Sequence, residues 1–428
     1  MDSTDTADLM RLLDASPSPF HAAAEVTRRL AEAGSEPIDP ERRWTAGDVS
    51  GMRHLSRDGA VIAWRLGTST APPDEARIVG AHTDSPCLRL KPRPDVAAHG
   101  WRQIDVEVYG GILNNSWLDR DLGIAGRIID DDGRSHLVRS GPVARVPQLA
   151  IHLDRGVNDG LRLDPQAHLM PVWGLGERRD DIAEWLGSLA GVGRASWWDL
   201  CLFDTQPAAV IGRDDELLAS ARLDNLVSCW AATTALTAGA PPPAGRLHLM
   251  VLNDHEEVGS ASATGAEGPL LEHVLLRIVV ALGGDAADLA RMLATSSCVS
   301  ADNAHAIHPN YPDRHDPLHA PTVNAGPAIK VNVNQRYATS ATTAAMFAAA
   351  CRVAGVPWQL FSSRNNMPCG STIGPITATR LGVDTVDVGV PQLSMHSARE
   401  LCGVDDPAHL ARALAAYWSD AVAGPPST

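Results

Sequence analysis

Four short apolar runs in this chain each lead into residues that bind protons or metals. IVGA (78–81) runs into His82 and Asp84, LHLMVL (247–252) into Glu256 and Glu257, CVSA (298–301) into Asp302, and DVGVPQLSM (387–395) into His396. Runs of this length, bounded by turn residues, read as buried strands. Helical patterns separate them, so the alternation predicts an α/β fold with a doubly wound sheet. In such sheets ligands collect beyond the carboxyl ends of the strands. A fifth carboxylate, Asp224 in RLDNL, lies just before an apolar helix.

The remaining punctuation agrees with this layout. DLMRLLDASPSPFHAAAEVTRRLAEAG reads as two helical segments broken at Pro17 and Pro19 and stopped at Gly34. Between Pro92 and Leu217 the pattern changes to short alternating runs such as QIDVEVYGG, and to GRIIDDDGRSHLVRSG with turn signals DDG and SG, which imply antiparallel β structure. We therefore expect an α/β domain over 1–92 and 218–428, interrupted by a β-rich domain over 93–217. After Ala219, RLDNLVSCWAATTALTAG reads as a helix and RLHLMVLND as a strand. A long helical stretch then continues through Arg291 before the strand SCVSAD. TTAAMFAAACRVAG reads as a helix, DTVDVGV as a strand, and 407–422 as a C-terminal helix.

Composition excludes several function classes. A net charge of −15 disfavours nonspecific nucleic-acid binding, and no apolar run is long enough to span a bilayer. The N-terminus has neither a basic segment nor a continuous apolar one. The 7 cysteines are scattered without a CxxC pair. These features predict a reduced cytoplasmic protein. GxSxG, GxxxxGK[ST] and strand-following GxGxxG motifs are absent, and HEEVG lacks the second histidine of HExxH.

Each candidate taken alone has a plainer reading. His82-Thr83-Asp84 could be a loop hydrogen-bond pair, Asp224 a helix N-cap, and Glu256-Glu257 a solvated strand end. In extended backbone neighbouring side chains point oppositely, so two adjacent glutamates otherwise face different partners. The shared topological position favours a common site. Two histidines and three or four carboxylates without a cysteine suit zinc or a neighbouring divalent ion, and suffice for two. His308, His315 and His319 lie in a polar loop and read as loop residues, Cys87 and Cys369 as packing residues. Trp197-Trp198 reads equally as core or subunit interface.

GAHTDSPCLRLKP, LAIHLDR, ARLDNLVS, NDHEEVGSASATG, SADNAHAIHPNY, GPAIKVNVNQRYA, NMPCGSTIGP and PQLSMHSARE together resemble the blocks of the M18 family, the aspartyl aminopeptidases. The resemblance runs from about Ser16 to the C-terminal helix. It implies a dinuclear metallo-exopeptidase with an inserted β-rich lid, assembled into a homo-oligomer, typically a dodecamer, and acting on peptides with an acidic N-terminal residue. It makes His82 and Asp302 ligands of one Zn2+, Glu257 and His396 ligands of a second, and Asp224 the bridge, with Co2+ or Mn2+ as substitutes. Glu256 becomes the general base, Asp84 the residue that orients His82, and His152, His305, Lys330 and Tyr337 substrate contacts. From its apolar surroundings alone, Lys330 reads as a lysine reaching back to water. The alternatives are a broader-specificity aminopeptidase or dipeptidase on the same scaffold, and a catalytically silent assembly protein.

Overall fold

A computed structural model describes residues 3–67, 69, 71–177 and 181–424. Its centre is a nine-stranded mixed sheet in the order Glu36–Pro37, Gly51–Arg57, Ala60–Leu66, Arg246–Asn253, Glu75–His82, Ser297–Ala301, Asp384–Gly389, Ala328–Val331, Gln359–Ser362. The four strands from Arg246–Asn253 to Asp384–Gly389 run parallel. They contain the apolar runs of the sequence, and the period-2 alternation explains why apolar residues point to both faces. Val79 and Ala81 face a core shared with helices Pro19–Glu32, Leu223–Ala238 and Asp406–Trp418. Ile78 faces the opposite core, with helices Leu270–Ala281 and Ala286–Thr295. Strands covered on both sides have no polar face.

The expected long helix before Arg291 is two helices. Gly283, at φ +84°, turns the chain out of the first. Asp285 then caps the second, accepting from the N–H groups of Ala287 at 2.8 Å and Asp288 at 3.2 Å. The C-terminal helix also ends earlier than expected, at Trp418. The buried Arg77 guanidinium takes the carbonyls of Tyr417 at 2.6 Å, Ser419 at 2.9 Å and Val422 at 2.7 Å, which pins the chain in a non-helical course.

A six-stranded antiparallel sheet is formed by strands lying between Cys87 and Asp204, with its own apolar core. A third, five-stranded sheet joins Ala209–Ile211 and Leu217–Ser220 to Glu400–Gly403, Pro391–Leu393 and Ala304–His305. Nothing in the sequence reading anticipates it. Ser220 pairs with Glu400 there, so the start of the helix bearing Asp224 is stitched to the segment bearing His396. Among the described residues no helix is long and apolar enough to cross a membrane.

Arg77 stands at the opposite end of its strand from His82, and its hydrogen bonds hold the C-terminal segment against the sheet. Arg77→Met leaves those carbonyls without a charged donor. Hydrogen bonds to charged groups contribute about 1.5–3 kcal/mol each, not additively, so we expect a loss of about 3 kcal/mol in urea unfolding and early proteolytic clipping after Trp418. A loss below about 1 kcal/mol would mean that water replaces the guanidinium.

Candidate active site

The register of the parallel strands gathers the site. Asn253 pairs with His82, and Ala301 with Val388, so the segments beyond these residues leave the sheet on one edge. Asp224 is brought in from a different direction. It sits in the non-helical first turn of Leu223–Ala238, before a cis Asp224–Asn225 bond. Asn225 Nδ2 donates to the Ala301 carbonyl at 2.8 Å, which ties this turn to the strand end preceding Asp302.

The side chains then converge. His82 Nε2 lies 3.5 Å from Asp224 Oδ1 and 3.7 Å from Asp302 Oδ1. His396 Nε2 lies 3.5 Å from Asp224 Oδ2 and 3.3 Å from Glu257 Oε2. Three sets have potential ligand atoms all within 4.8 Å of one another: His82–Asp224–Asp302, Asp224–Glu257–His396 and His82–Glu256–Glu257. Asp224 Oδ1 and Glu257 Oε1 are buried without a hydrogen-bond partner, which is costly unless something cationic meets them. Both rings are held by their other nitrogen, His82 Nδ1 at 3.0 Å from the Asp84 carbonyl and His396 Nδ1 at 3.1 Å from the Gly111 carbonyl. With Nδ1–H assigned as the donor from these contacts, each Nε2 lone pair points into the cluster. Imidazole nitrogens and carboxylate oxygens without thiolate fit zinc.

The paired glutamates do not point apart, because they do not lie in a strand. The strand ends at Asn253, His255 adopts φ +63°, and Glu256–Val258 form one 3₁₀ turn. Both carboxylates therefore reach the same cluster as His82. Asp84, fully buried, is the anchor of that turn. Its Oδ1 accepts the Glu256 N–H at 3.1 Å, and its Oδ2 accepts the Glu257 N–H at 3.1 Å and the Tyr109 hydroxyl at 2.7 Å. Its carboxylate stands farther from the His82 ring, at 3.4 Å, than its carbonyl does.

Tyr109 and Gly111 belong to the YGG end of a strand in the six-stranded sheet, so that lobe contributes directly to the site. Space there is tight. A Cβ on Gly110, whose φ is +71°, would stand 3.1 Å from Glu257 Cβ, and one on Gly111 would stand 3.4 Å from His396 Nδ1.

Burial disfavours charge on His82, but Asp224, Asp302 and Asp84 outweigh it and hold its pKa well above the usual histidine value. His396 is raised to about 9, again against burial, chiefly by Asp224. Glu256 is raised to about 8 by burial and then by Asp302, Asp224 and Asp84, against the opposing His82. Burial, then Asp224, lifts Glu257 well above the carboxylate range.

A cavity of about 460 Å³ opens over the cluster, lined also by His305, Lys330, Arg336 and Tyr337. Lys330 does not reach back to water. It is 2% exposed, donating to the carbonyls of Asp302 at 2.8 Å and Asn303 at 3.2 Å, with Nζ 5.0 Å from the centre of the Tyr337 ring. The His305 ring meets Phe361 edge-on at 6.1 Å, and burial, then Lys330, lowers its pKa. His152 is not brought to this cavity; it stands exposed on a loop of the inserted segment. The polar-loop histidines bond locally: His308 N–H donates to His315 Nε2 at 3.1 Å, and His319 Nδ1 meets Asp316 at 2.8 Å. Cys87 packs in the core of the six-stranded lobe, and Cys369 against the Tyr337–Phe361 cluster. Trp197 is exposed and Trp198 packs against the same lobe core.

Sequence reasoning passed over Tyr109, Arg336 and Glu400. All three stand in blocks it quoted (QIDVEVYGG, NVNQRYA and PQLSMHSARE), so position beside a named residue was the available signal. Glu400 is the most consequential. Its buried carboxylate accepts the backbone N–H of His396 at 2.7 Å and of Asp224 at 3.0 Å.

Comparison with known proteins agrees with this geometry. The family described as "Aminopeptidase I zinc metalloprotease (M18)" matches residues 12–418. The chain is 54% identical over 420 residues to "Probable M18 family aminopeptidase 2" of Streptomyces coelicolor, covering 96% of this chain and 97% of that one. The structure of Ape4 in the Ape4–Nbr1 complex matches with a TM-score of 0.92 at 34% identity, over 97% of this chain and 85% of that one. The mApe1 dodecamer of S. cerevisiae matches at 0.84 and 28% identity, over 97% and 96%. With matches spanning nearly its whole length, the chain belongs to the M18 family of aminopeptidases, which are zinc metalloproteases.

Proposed function

We propose that this M18 aminopeptidase holds two zinc ions and releases acidic residues from the N-termini of peptides, with Glu256 as general base. The observation that carries the two-ion reading is the posture of Asp224, whose two oxygens face different imidazoles, each at 3.5 Å. His82 and Asp302 would hold one ion with Asp224, and Glu257 and His396 the other. The third set, His82–Glu256–Glu257, would make Glu256 a ligand. We favour the first two because they use every imidazole and leave Glu256 free. Co2+ or Mn2+ suit the same donors. When bound, the ions supply Lewis acidity, which makes water a usable nucleophile near neutral pH.

Glu256 then handles the proton. Its carboxyl, raised to about 8 in the metal-free protein, comes down as cations occupy the neighbouring ligands. A carboxyl tuned near the working pH can take a proton from water as its oxygen adds to the scissile carbonyl, and return it to the departing amine nitrogen. Asp84 keeps Glu256 and Glu257 on one turn and so holds base and ligand in fixed relation.

For substrate, Lys330 would meet the acidic side chain from beside Tyr337, with His305 as a further contact. Two carbonyls already engage Lys330, an observation that favours the broader-specificity alternative and gives the test below its point. His152, flanked by the exposed Leu149, Ile151 and Leu153, would act on a neighbouring subunit's site in a homo-oligomer like the dodecamer of the yeast protein. The six-stranded lobe would then be both lid and assembly surface.

Glu256→Gln should keep two zinc ions per chain by elemental analysis while turnover falls about 10²–10⁴-fold. Glu257→Gln should lose one ion. Reversed phenotypes would exchange the two roles.

Metal must compete with protons. Near pH 7 the metal-free site carries protons on His82, His396, Glu256 and Glu257, and ligation requires neutral imidazole and ionised carboxylate. Zinc uptake should release more than one proton per chain near pH 7 and fewer near pH 9, where Glu256 has passed its pKa of about 8 and His396 has reached its own of about 9. Apparent affinity should rise correspondingly with pH. Titration calorimetry in buffers of different ionisation enthalpy reads this directly, and proton-free uptake at pH 7 contradicts it.

Lys330→Met should lower the ratio of kcat/KM for Asp over Ala chromogenic substrates by about 10–10³-fold. The ratio cancels any disturbance of Asp302. An unchanged ratio, or a wild-type preference for Ala or Leu, assigns the enzyme to the broader-specificity class.

A further inference from the structure

Three buried side chains outside the ligand set form a chain of hydrogen bonds around the cluster. Asn303, Gln392 and Glu400 are 3%, 1% and 3% exposed. Asn303 Nδ2 donates to the Leu223 carbonyl at 2.9 Å and to Gln392 Oε1 at 2.8 Å. Gln392 Nε2 donates to Glu400 Oε1 at 3.3 Å. Glu400 in turn accepts the N–H of His396 on Oε1 and that of Asp224 on Oε2.

The path has a definite relation to the ligands. It begins beside Asp302, grips Asp224 through the carbonyl before it and through its own N–H, and ends at His396. It thus touches one ligand peculiar to each metal position and the one they share. None of the three side chains is a ligand in the reading above, and none lines the described substrate cavity except Asn303. Each bond has one polarity. A Gln392 amide turned over would set its NH₂ against the Asn303 NH₂, and its oxygen against the Glu400 carboxylate.

Resting on the two-zinc reading, we propose that Asn303, Gln392 and Glu400 are a positioning network that holds Asp302, Asp224 and His396 in register, with Gln392 as its hub. Ligand loops from three distant parts of the chain have no covalent reason to keep ångström-scale relations. Asn303 Oδ1 has no hydrogen-bond partner, but the bonds the network does make enforce them, because a shifted loop would leave further buried polar groups unpaired. Outer groups that orient metal ligands commonly change metal affinity or activity by about 10–100-fold when removed.

The test is zinc binding by competition with a chromophoric chelator on Gln392→Leu, which fills the site but neither donates nor accepts. Glu400→Gln, isosteric with the carboxylate, serves as the second variant. We expect the weaker of the two zinc affinities to fall about 10–100-fold. kcat should fall with KM changed less than about twofold, and the metal-free protein should melt within a few degrees of wild type. Wild-type zinc affinity in both variants overturns the proposal. So does failure of both metal-free variants to fold, which would make the three residues part of the core rather than of the metal centre. A wild-type protein that saturates at one zinc per chain sinks the two-zinc reading itself, whatever the variants do.

Discussion

Mutual repulsion among carboxylates is the constraint around which this molecule is arranged. Asp84, Asp224, Glu256, Glu257 and Asp302 surround two imidazoles at one sheet edge, most of them buried. Two unit charges about 4 Å apart repel by roughly 4 kcal/mol at an effective dielectric constant near 20. Three offsets are visible. Backbone N–H groups of Glu256 and Glu257, with the Tyr109 hydroxyl, take the charge of Asp84. Protons on His82 and His396 offset Asp224, while Glu256 and Glu257 resist ionisation. Lys330 stands 3.8 Å from Asp302 Oδ2. Unpartnered oxygens on Asp224 and Glu257 nevertheless remain, and in the proposed reading those are the places where divalent cations would complete the balance.

Holding repelling groups together requires a rigid support. The parallel strands supply it, buried on both faces and locked in register. The other lobes add restraint from outside. The six-stranded sheet sends in the Tyr109 hydroxyl and the Gly111 carbonyl, and the five-stranded sheet ties the approach to Asp224 to Glu400. The candidate ligands thus come from separate segments, and each segment is held by hydrogen bonds to elements other than its own.

Much of this was legible in the sequence, and the misreadings have physical reasons. The convergence of the strand-terminal candidates was readable because an apolar run fixes a strand and a strand fixes where its end must lie. The two-helix stretch before Thr295 was misread because the Gly283-Gly284 break interrupts an otherwise apolar run. The direction of Glu256 and Glu257 was misread by extending strand geometry past Asn253, where a left-handed His255 begins a turn. The five-stranded sheet was invisible because its strands are two to four residues long, too short to show a period. The burial of Lys330 could not be read from its apolar surroundings alone, because the carbonyls that accept its protons belong to residues 27 and 28 positions earlier in the chain. Beyond their place in a quoted block, Glu400 and Gln392 gave no signal, for a related reason. Their partners are backbone groups and amides, which carry no spacing rule.

The same charge arrangement bears on which end of a peptide can enter. An acidic protein of net charge −15 gains nothing from long-range attraction of acidic substrates, so discrimination has to arise inside the cavity. The cavity lining carries both kinds of charge, the carboxylates of Glu256, Glu257 and Asp224 and the cations of Lys330 and Arg336. A free α-ammonium group is attracted to the first and an acidic side chain to the second. A peptide with both, on its first residue, satisfies the two kinds at once. An internal Asp or Glu brings no ammonium, and a neutral N-terminal residue leaves the cations unused. Under the proposed reading, the demand for a free N-terminus and the preference for an acidic first residue are two consequences of one cavity lined by both charges.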